Sequence, residues 1–254
     1  MKVLAITQAR VGSSRLPKKV LLPLGNDTLL GTHLERLKKA ASLDIIFVAT
    51  TEENESDQIA RIANEKGVLY FKGSTNDVLD RFYKAALQHT PEYIVRITSD
   101  CPLIDPQLLD KVVESAINGG YDYYTNILVE DFPDGQDIEV MKMSALTHAW
   151  QNAAKPSERE HVTPFIRNNC DFNGGDLFKA ADHKAPDNYN QVRMTVDEPA
   201  DLEVMAWLIH SLGVKKSWQE YTDYMLDHPS ELKNAKILRN EGYLNSEKED
   251  NKKS

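Results

Sequence analysis

Apolar runs of strand length recur along the first hundred residues, separated by stretches of helical periodicity, and this alternation restricts the fold more than any single motif. Val3-Leu4-Ala5-Ile6, Ile45-Ile46-Phe47-Val48-Ala49, Val68 to Phe71 and Tyr93-Ile94-Val95-Arg96-Ile97 read as buried strands. Between them, Leu29 to Ala41 places Leu30, Leu34 and Leu37 on one helical face. A second helix runs through Ile59, Ile62 and Ala63 to Gly67, and a third covers Ser74 to His89. Strands that alternate with helices need right-handed crossovers, and these produce an α/β fold around a largely parallel sheet flanked by helices.

The pattern changes after the helix expected at Leu108 to Ile117. Tyr121 to Thr125, a turn at Pro133-Asp134-Gly135 and Ile138-Glu139-Val140 read as a β-rich addition. Met143 to Ala154 and Ser157 to Asn169 read as helices, Leu177 to Ala181 as an edge strand and Gln191 to Val196 as a further strand. Helices are expected from Asp201 to Leu212, over Ser217 to Leu226 and over Glu231 to Asn240. Residues 1–244 form one expected domain, with an insertion at about 119–190 for acceptor binding and dimerisation. Asn245 to Ser254 contain no apolar residue and are expected to be disordered.

A net charge of -9 over 254 residues argues against a general nucleic-acid binder, because phosphate-backbone affinity needs a basic surface. No apolar run reaches about 18 residues, so no membrane span is expected. The two cysteines, Cys101 and Cys170, lack metal-ligand spacing and fit a reducing compartment, so a soluble cytoplasmic protein is expected.

Against that acidic background, the segment after the first strand is basic. Gln8-Ala9-Arg10-Val11-Gly12-Ser13-Ser14-Arg15-Leu16-Pro17-Lys18-Lys19 joins a Gly and two hydroxyls to four cations. It follows the carboxyl end of a strand, where open α/β sheets bind ligands, and its composition suits a polyphosphate. Two carboxylates, Asp100 and Asp197, each follow an apolar strand and precede a proline-containing turn. At neighbouring strand ends they could share Mg²⁺ with phosphate oxygens, or each could cap a turn or helix.

The segment Gln8-Ala9-Arg10-x-Gly12-Ser13-Ser14-Arg15-Leu16-Pro17-x-Lys19, with the later Ser99-Asp100-Cys101-Pro102 and Thr195-Val196-Asp197-Glu198-Pro199-x-Asp201-Leu202, resembles the SpsF-type cytidylyltransferase family. That family is related to synthetases of CMP-sialic acids and CMP-3-deoxy-octulosonate. Phe132-Pro133-Asp134-Gly135-x-Asp137-Ile138-Glu139-Val140 and Glu158-Arg159-Glu160-His161-Val162-Thr163-Pro164 also look like family blocks. The resemblance implies a Rossmann-like nucleotidyltransferase fold of the GT-A-like kind, often dimeric. It also implies transfer of CMP from CTP to a sugar acid with release of pyrophosphate, for surface or spore-coat polysaccharide.

On this resemblance Arg10, Arg15 and Lys19 hold the triphosphate, and Asp100 and Asp197 hold Mg²⁺. Gln8, Ala9, Gly12, Ser13 and Ser14 complete the nucleotide loop. Ser74, Asp77 and Arg81 border the base, although Asp77 and Arg81, at i and i+4, could equally form a surface ion pair. Arg96 either reaches the nucleotide or pairs with a nearby carboxylate. Asp134, Gln136, Asp137, Glu139 and His161 are candidates for the acceptor. Lys18 stands where relatives commonly have Gly. Other readings of the fold are a glycosyltransferase, a sugar-phosphate nucleotidyltransferase or a non-catalytic nucleotide-binding protein. The first of these usually carries Asp-x-Asp, which Asp100-Cys101-Pro102 does not supply.

Overall fold

The computed structural model describes residues 2–13 and 15–253. β1 (Val3–Gln8) is followed by the basic loop and a short 3-10 turn at Lys19–Leu21. A small antiparallel hairpin, β2 (Pro23–Leu24) and β3 (Asp27–Thr28), comes next and was not expected from the sequence. α1 (Leu29–Leu37) begins where Thr28 Oγ1 accepts from the Gly31 amide at 3.0 Å. The alternation continues with β4 (Ile45–Thr51), α2 (Asp57–Glu65), β5 (Leu69–Gly73), α3 (Val78–Leu87), β6 (Tyr93–Thr98) and α4 (Pro106–Gly119). The second half supplies β7 (Tyr123–Thr125), β8 (Glu139–Lys142), α5 (Met143–Asn152), α6 (Pro156–His161), α7 (Pro164–Asn168) and β9 (Ala180–Asp182). It ends with α8 (Pro199–Leu212), α9 (Trp218–Asp227) and α10 (Glu241–Lys253).

One sheet of order β5-β4-β1-β6-β8-β7-β9 runs through the molecule. β5, β4, β1 and β6 are parallel, whereas β8 is antiparallel to both β6 and β7. β1 explains why its run is continuously apolar. Val3 and Ala5 face one core and Leu4 and Ile6 the other, so both faces are covered. From β1 the chain moves outward to β4 and β5, then returns to place β6 on β1's other side. The order therefore reverses at β1, where an open α/β sheet forms a crevice beyond its strand ends.

The β-rich addition is present as expected, with β7, β8 and β9 extending the main sheet. Other expectations are corrected. Gln191 to Val196 is not a strand. Val192, Met194 and Val196 alternate into a third core beneath α8 and α9, and only an isolated bridge joins Arg193 to Asp134. The helix expected over Ser157 to Asn169 breaks at Val162, whose φ is 72° and ψ -55°. The Thr163 amide there donates to the His161 carbonyl at 2.9 Å, forming a γ-turn that is strained for a β-branched residue.

The ends of the chain also differ from expectation. The helix expected at Glu231 to Asn240 is replaced by a 3-10 turn at Pro229–Glu231 and further turns. The disorder expected from Asn245 does not hold over residues 245–253, which continue α10. This helix docks through polar contacts on α6: the Ser157 amide donates to Asp250 Oδ2 at 3.1 Å, and Ser246 Oγ donates to Glu160 Oε2 at 3.1 Å.

Candidate active site

A cleft of about 340 Å³ opens over the ends of β1 and β6. The end of β1 contributes Gln8, the connection after it contributes Ala9, Arg10, Ser13, Arg15 and Lys19, and the turn after β6 contributes Ser99 and Asp100. A third contribution is the extended segment carrying Arg193, Thr195 and Asp197. Its position is set by the Val196 amide, which donates to the Asp100 carbonyl at 2.9 Å. Asp100 and Asp197 are thus brought together although 97 positions separate them.

Lys19 joins them. Its Nζ donates to Asp100 Oδ2 at 2.8 Å, to Asp197 Oδ1 at 2.8 Å and to the Val196 carbonyl at 2.9 Å. Burial alone would lower the Lys19 pKa, but the two carboxylates raise it overall. Asp100 answers in the opposite sense: burial favours its neutral form, yet the Lys19 ammonium and hydrogen bonds from Lys19 and Thr98 pull its pKa far below the usual carboxylate range.

Asp197 is bordered by two further cations. Arg15 Nη2 lies 3.1 Å from Oδ1, and Arg193 Nη2 donates to Oδ2 at 3.0 Å. Arg193, unassigned from the sequence, is a buried hub whose Nε donates to Asp201 Oδ1 at 2.8 Å and whose Nη1 pairs with Asp134. Asp201 accepts from the Asp197 and Glu198 amides at 2.9 and 3.0 Å, fixing the turn at the start of α8. Arg193 lies on an extended segment, so its partners Asp197 and Asp201, four and eight positions on, carry no helical signal in the sequence. Arg10 is exposed on the cleft and forms no ion pair among the described residues.

Of the residues expected at the base, only part of the set reaches the cleft. Arg81 does: its Nη1 donates to the Ser74 carbonyl at 2.6 Å, while its buried Nε has no partner. Burial, then the nearby Arg10 charge, lowers its pKa to about 10. The buried Gln8 Oε1 is likewise unpartnered. Ser74 and Asp77 are structural. Ser74 Oγ accepts from the Asp77 amide at 3.1 Å, and Asp77 caps α3 and pairs with Arg159, not with Arg81. Gly12 is off the cleft lining, and a Cβ there would meet nothing within 4 Å. Ser14 lies outside the described residues. Lys18 is exposed with φ 58°, the left-handed conformation for which Gly is favoured, and it does not line the cleft.

Beyond the loop, the cleft is lined by Asp134, Asp137, Glu139 and His161. Gln136 is not part of it: buried, it accepts from the Asp105 amide at 2.9 Å and donates to the Leu103 carbonyl at 3.0 Å, holding the turn before α4. Arg96 both lines the cleft and pairs with Glu139, which also accepts from the Tyr123 hydroxyl. Burial and the Asp137 charge push the Asp134 pKa up to about 7, against Arg239 and Arg193. Burial lowers His161 to about 4 and keeps it neutral. The far wall, missed from the sequence, is the segment from Leu238 to Tyr243.

A divalent cation can be tested against this geometry. Among the described residues no group of three or more His, Cys, Asp or Glu could hold a metal. Two carboxylate oxygens do converge on one cationic nitrogen. Such a pair suits an ion whose remaining ligands are phosphate oxygens and waters, as Mg²⁺ commonly takes.

A reversing parallel sheet with a basic loop and paired carboxylates at its switch point defines a nucleotidyltransferase. A family model described as Cytidylyltransferase matches residues 4–248, and the chain belongs to that family of enzymes. It is 34% identical over 218 residues to the spore coat polysaccharide biosynthesis protein SpsF of Bacillus subtilis, covering 83% of this chain and 88% of that one. It is 28% identical over 252 residues to a 3-deoxy-manno-octulosonate cytidylyltransferase of an Anaeromyxobacter species, covering 93% and 97%. The solved structure of a cytidylyltransferase from Leptospira borgpetersenii superposes with a TM-score of 0.87 at 35% identity, covering 94% of this chain and 100% of that one.

Proposed function

We propose that this enzyme transfers CMP from CTP to a hydroxyl of a sugar acid, releasing pyrophosphate, with Mg²⁺ as cofactor. The observation that carries the reading is the convergence of Asp100 and Asp197 on Lys19, beside Arg10 and Arg15. The acceptor oxygen forms a bond to the α-phosphorus as the bond to the β-phosphate oxygen breaks, and the acceptor proton passes to solvent. Such a transfer depends chiefly on positioning and charge stabilisation. Arg10, Arg15 and Lys19 bind the triphosphate and neutralise the leaving pyrophosphate.

Asp100 and Asp197 would hold Mg²⁺, which when bound offsets phosphate charge and lowers the pKa of the attacking hydroxyl. At the other end, the unpartnered Gln8 Oε1 and Arg81 Nε match the amino donor and carbonyl acceptor of cytosine. The similarity to a 3-deoxy-manno-octulosonate cytidylyltransferase supports a sugar acid as acceptor. Pyrophosphate release from CTP and Mg²⁺ with a panel of nonulosonic and octulosonic acids is the test. Release with an acid is expected, whereas release only with sugar phosphates would replace the acceptor class.

A further inference from the structure

The wall facing the basic loop is made by residues 238–243 and continues into α10. Polar contacts hold it in place. Arg239 Nη2 donates to Asp137 Oδ1 at 2.6 Å and Nη1 to the Phe132 carbonyl at 2.9 Å, and Ser246 Oγ lies 3.2 Å from His161 Nε2. Its leucines, Leu238 and Leu244, are exposed. A segment anchored without a buried apolar stripe belongs to the part of a structure that opens at low cost.

Tyr243 is the part of this wall aimed inward. Its ring centroid lies 4.8 Å from the Arg167 guanidinium carbon and 5.3 Å from the His161 ring, which meets it edge-on at 90°. Arg167 has no ion-pair partner among the described residues, so the tyrosine face covers a cation on the acceptor side of the cleft. The strained turn at Val162 fixes His161 beneath the same ring. An acceptor entering this half must share the Tyr243 ring or displace it.

We propose that residues 238–253 form an opening wall of the acceptor pocket and that Tyr243 is the residue on it that selects the acceptor. The inference rests on the CMP-transfer reading. An aromatic face packs against the C–H face of a sugar ring, and its position over Arg167 couples that packing to the acceptor's negative charge.

Steady-state kinetics of the full chain test this, using Tyr243→Ala, Tyr243→Phe and Ser246→Ala at saturating CTP, with CTP dissociation constants measured separately. Tyr243→Ala is expected to raise the acceptor KM about tenfold and to change the order of preference among the acids, with CTP affinity kept within about twofold. Tyr243→Phe, which retains the ring, should restore most of the loss. Ser246→Ala, outside the cleft lining, should raise the acceptor KM less. An unchanged KM and preference order in Tyr243→Ala would overturn the inference alone, as would a parallel loss of CTP affinity. No pyrophosphate release by the unaltered chain with any acid would remove the CMP-transfer reading, and this inference with it.

Discussion

Lys19 Nζ lies 2.8 Å from Asp100 Oδ2, an ammonium and a carboxylate brought together from the connections that follow β1 and β6. The same nitrogen is 2.8 Å from Asp197, so one cation holds two like charges at the mouth of the cleft. Asp100→Asn and Asp197→Asn preserve shape while removing charge. Each is expected to lower turnover about 100-fold or more with the circular dichroism spectrum unchanged. Full activity in either variant would contradict the role of that carboxylate.

Replacing the cation exposes the same pair from the other side. Lys19→Met leaves Asp100 and Asp197 facing each other, and loss of a buried partner typically costs about 3 kcal/mol. The urea midpoint of this variant should fall, then rise again with added Mg²⁺, because an ion bound only by the folded state stabilises it. The double variant Lys19→Met with Asp197→Asn should show no Mg²⁺ response. A response equal to that of Lys19→Met would place the ion elsewhere.

Arg15 is about a third exposed and pairs with Asp197 at 3.1 Å, a contact that contributes little by itself and leaves the guanidinium available to phosphate. Arg15→Ala is expected to weaken CTP binding about tenfold and CMP binding hardly at all, read by titration calorimetry. Equal losses for both nucleotides would remove Arg15 from the β- and γ-phosphates.

Lys18 adopts φ 58° with no contribution to the cleft. A left-handed non-Gly residue costs about 1 kcal/mol, partly offset by the greater unfolded-state freedom that Gly brings. Lys18→Gly should leave CTP affinity unchanged and shift the unfolding free energy by between zero and about 1 kcal/mol towards stability. A loss of CTP affinity would show that Lys18 reaches the phosphates.

His33 is buried beneath the site, with Nε2 3.0 Å from Thr7 Oγ1 and Nδ1 donating to the Cys101 carbonyl at 2.9 Å. Burial lowers its pKa from 6.5 to about 4, so the fold favours the neutral ring. The unfolded chain binds the extra proton between these values, and the stability this group provides is complete above 6.5 and lost as pH falls towards about 4. Asp134, raised to about 7, acts with the opposite sign between 3.8 and about 7, so the net slope mixes the two. Comparison with His33→Gln isolates the ring. The difference in unfolding free energy should grow by about 3 kcal/mol as pH rises through the His33 window. A pH-independent difference would mean that His33 is not held neutral.

The sheet, the basic loop and both carboxylates were legible because each leaves a local mark: apolar runs of strand length, clustered cations, or an Asp beside a Pro-containing turn. Gln136 was misread because a polar side chain in a loop carries no sign that it will be buried against Leu103 and Asp105. Arg193 was missed for the opposite reason, since its partner Asp134 lies 59 residues away. The wall at Arg239 and Tyr243 escaped because it docks by hydrogen bonds and ring contacts, which have no period. Absence of apolar residues over 245–253 excludes a core helix, and in the sequence alone that reads as disorder. It could not exclude a helix held by its polar groups.

The most direct measurement follows the α-phosphate. With CTP labelled at that position, Mg²⁺ and a sugar acid that supports turnover, the label should appear in a CMP-sugar in one-to-one yield with unlabelled pyrophosphate. Label found only in CTP or in free CMP, whichever acid is supplied, would contradict transfer to a sugar hydroxyl.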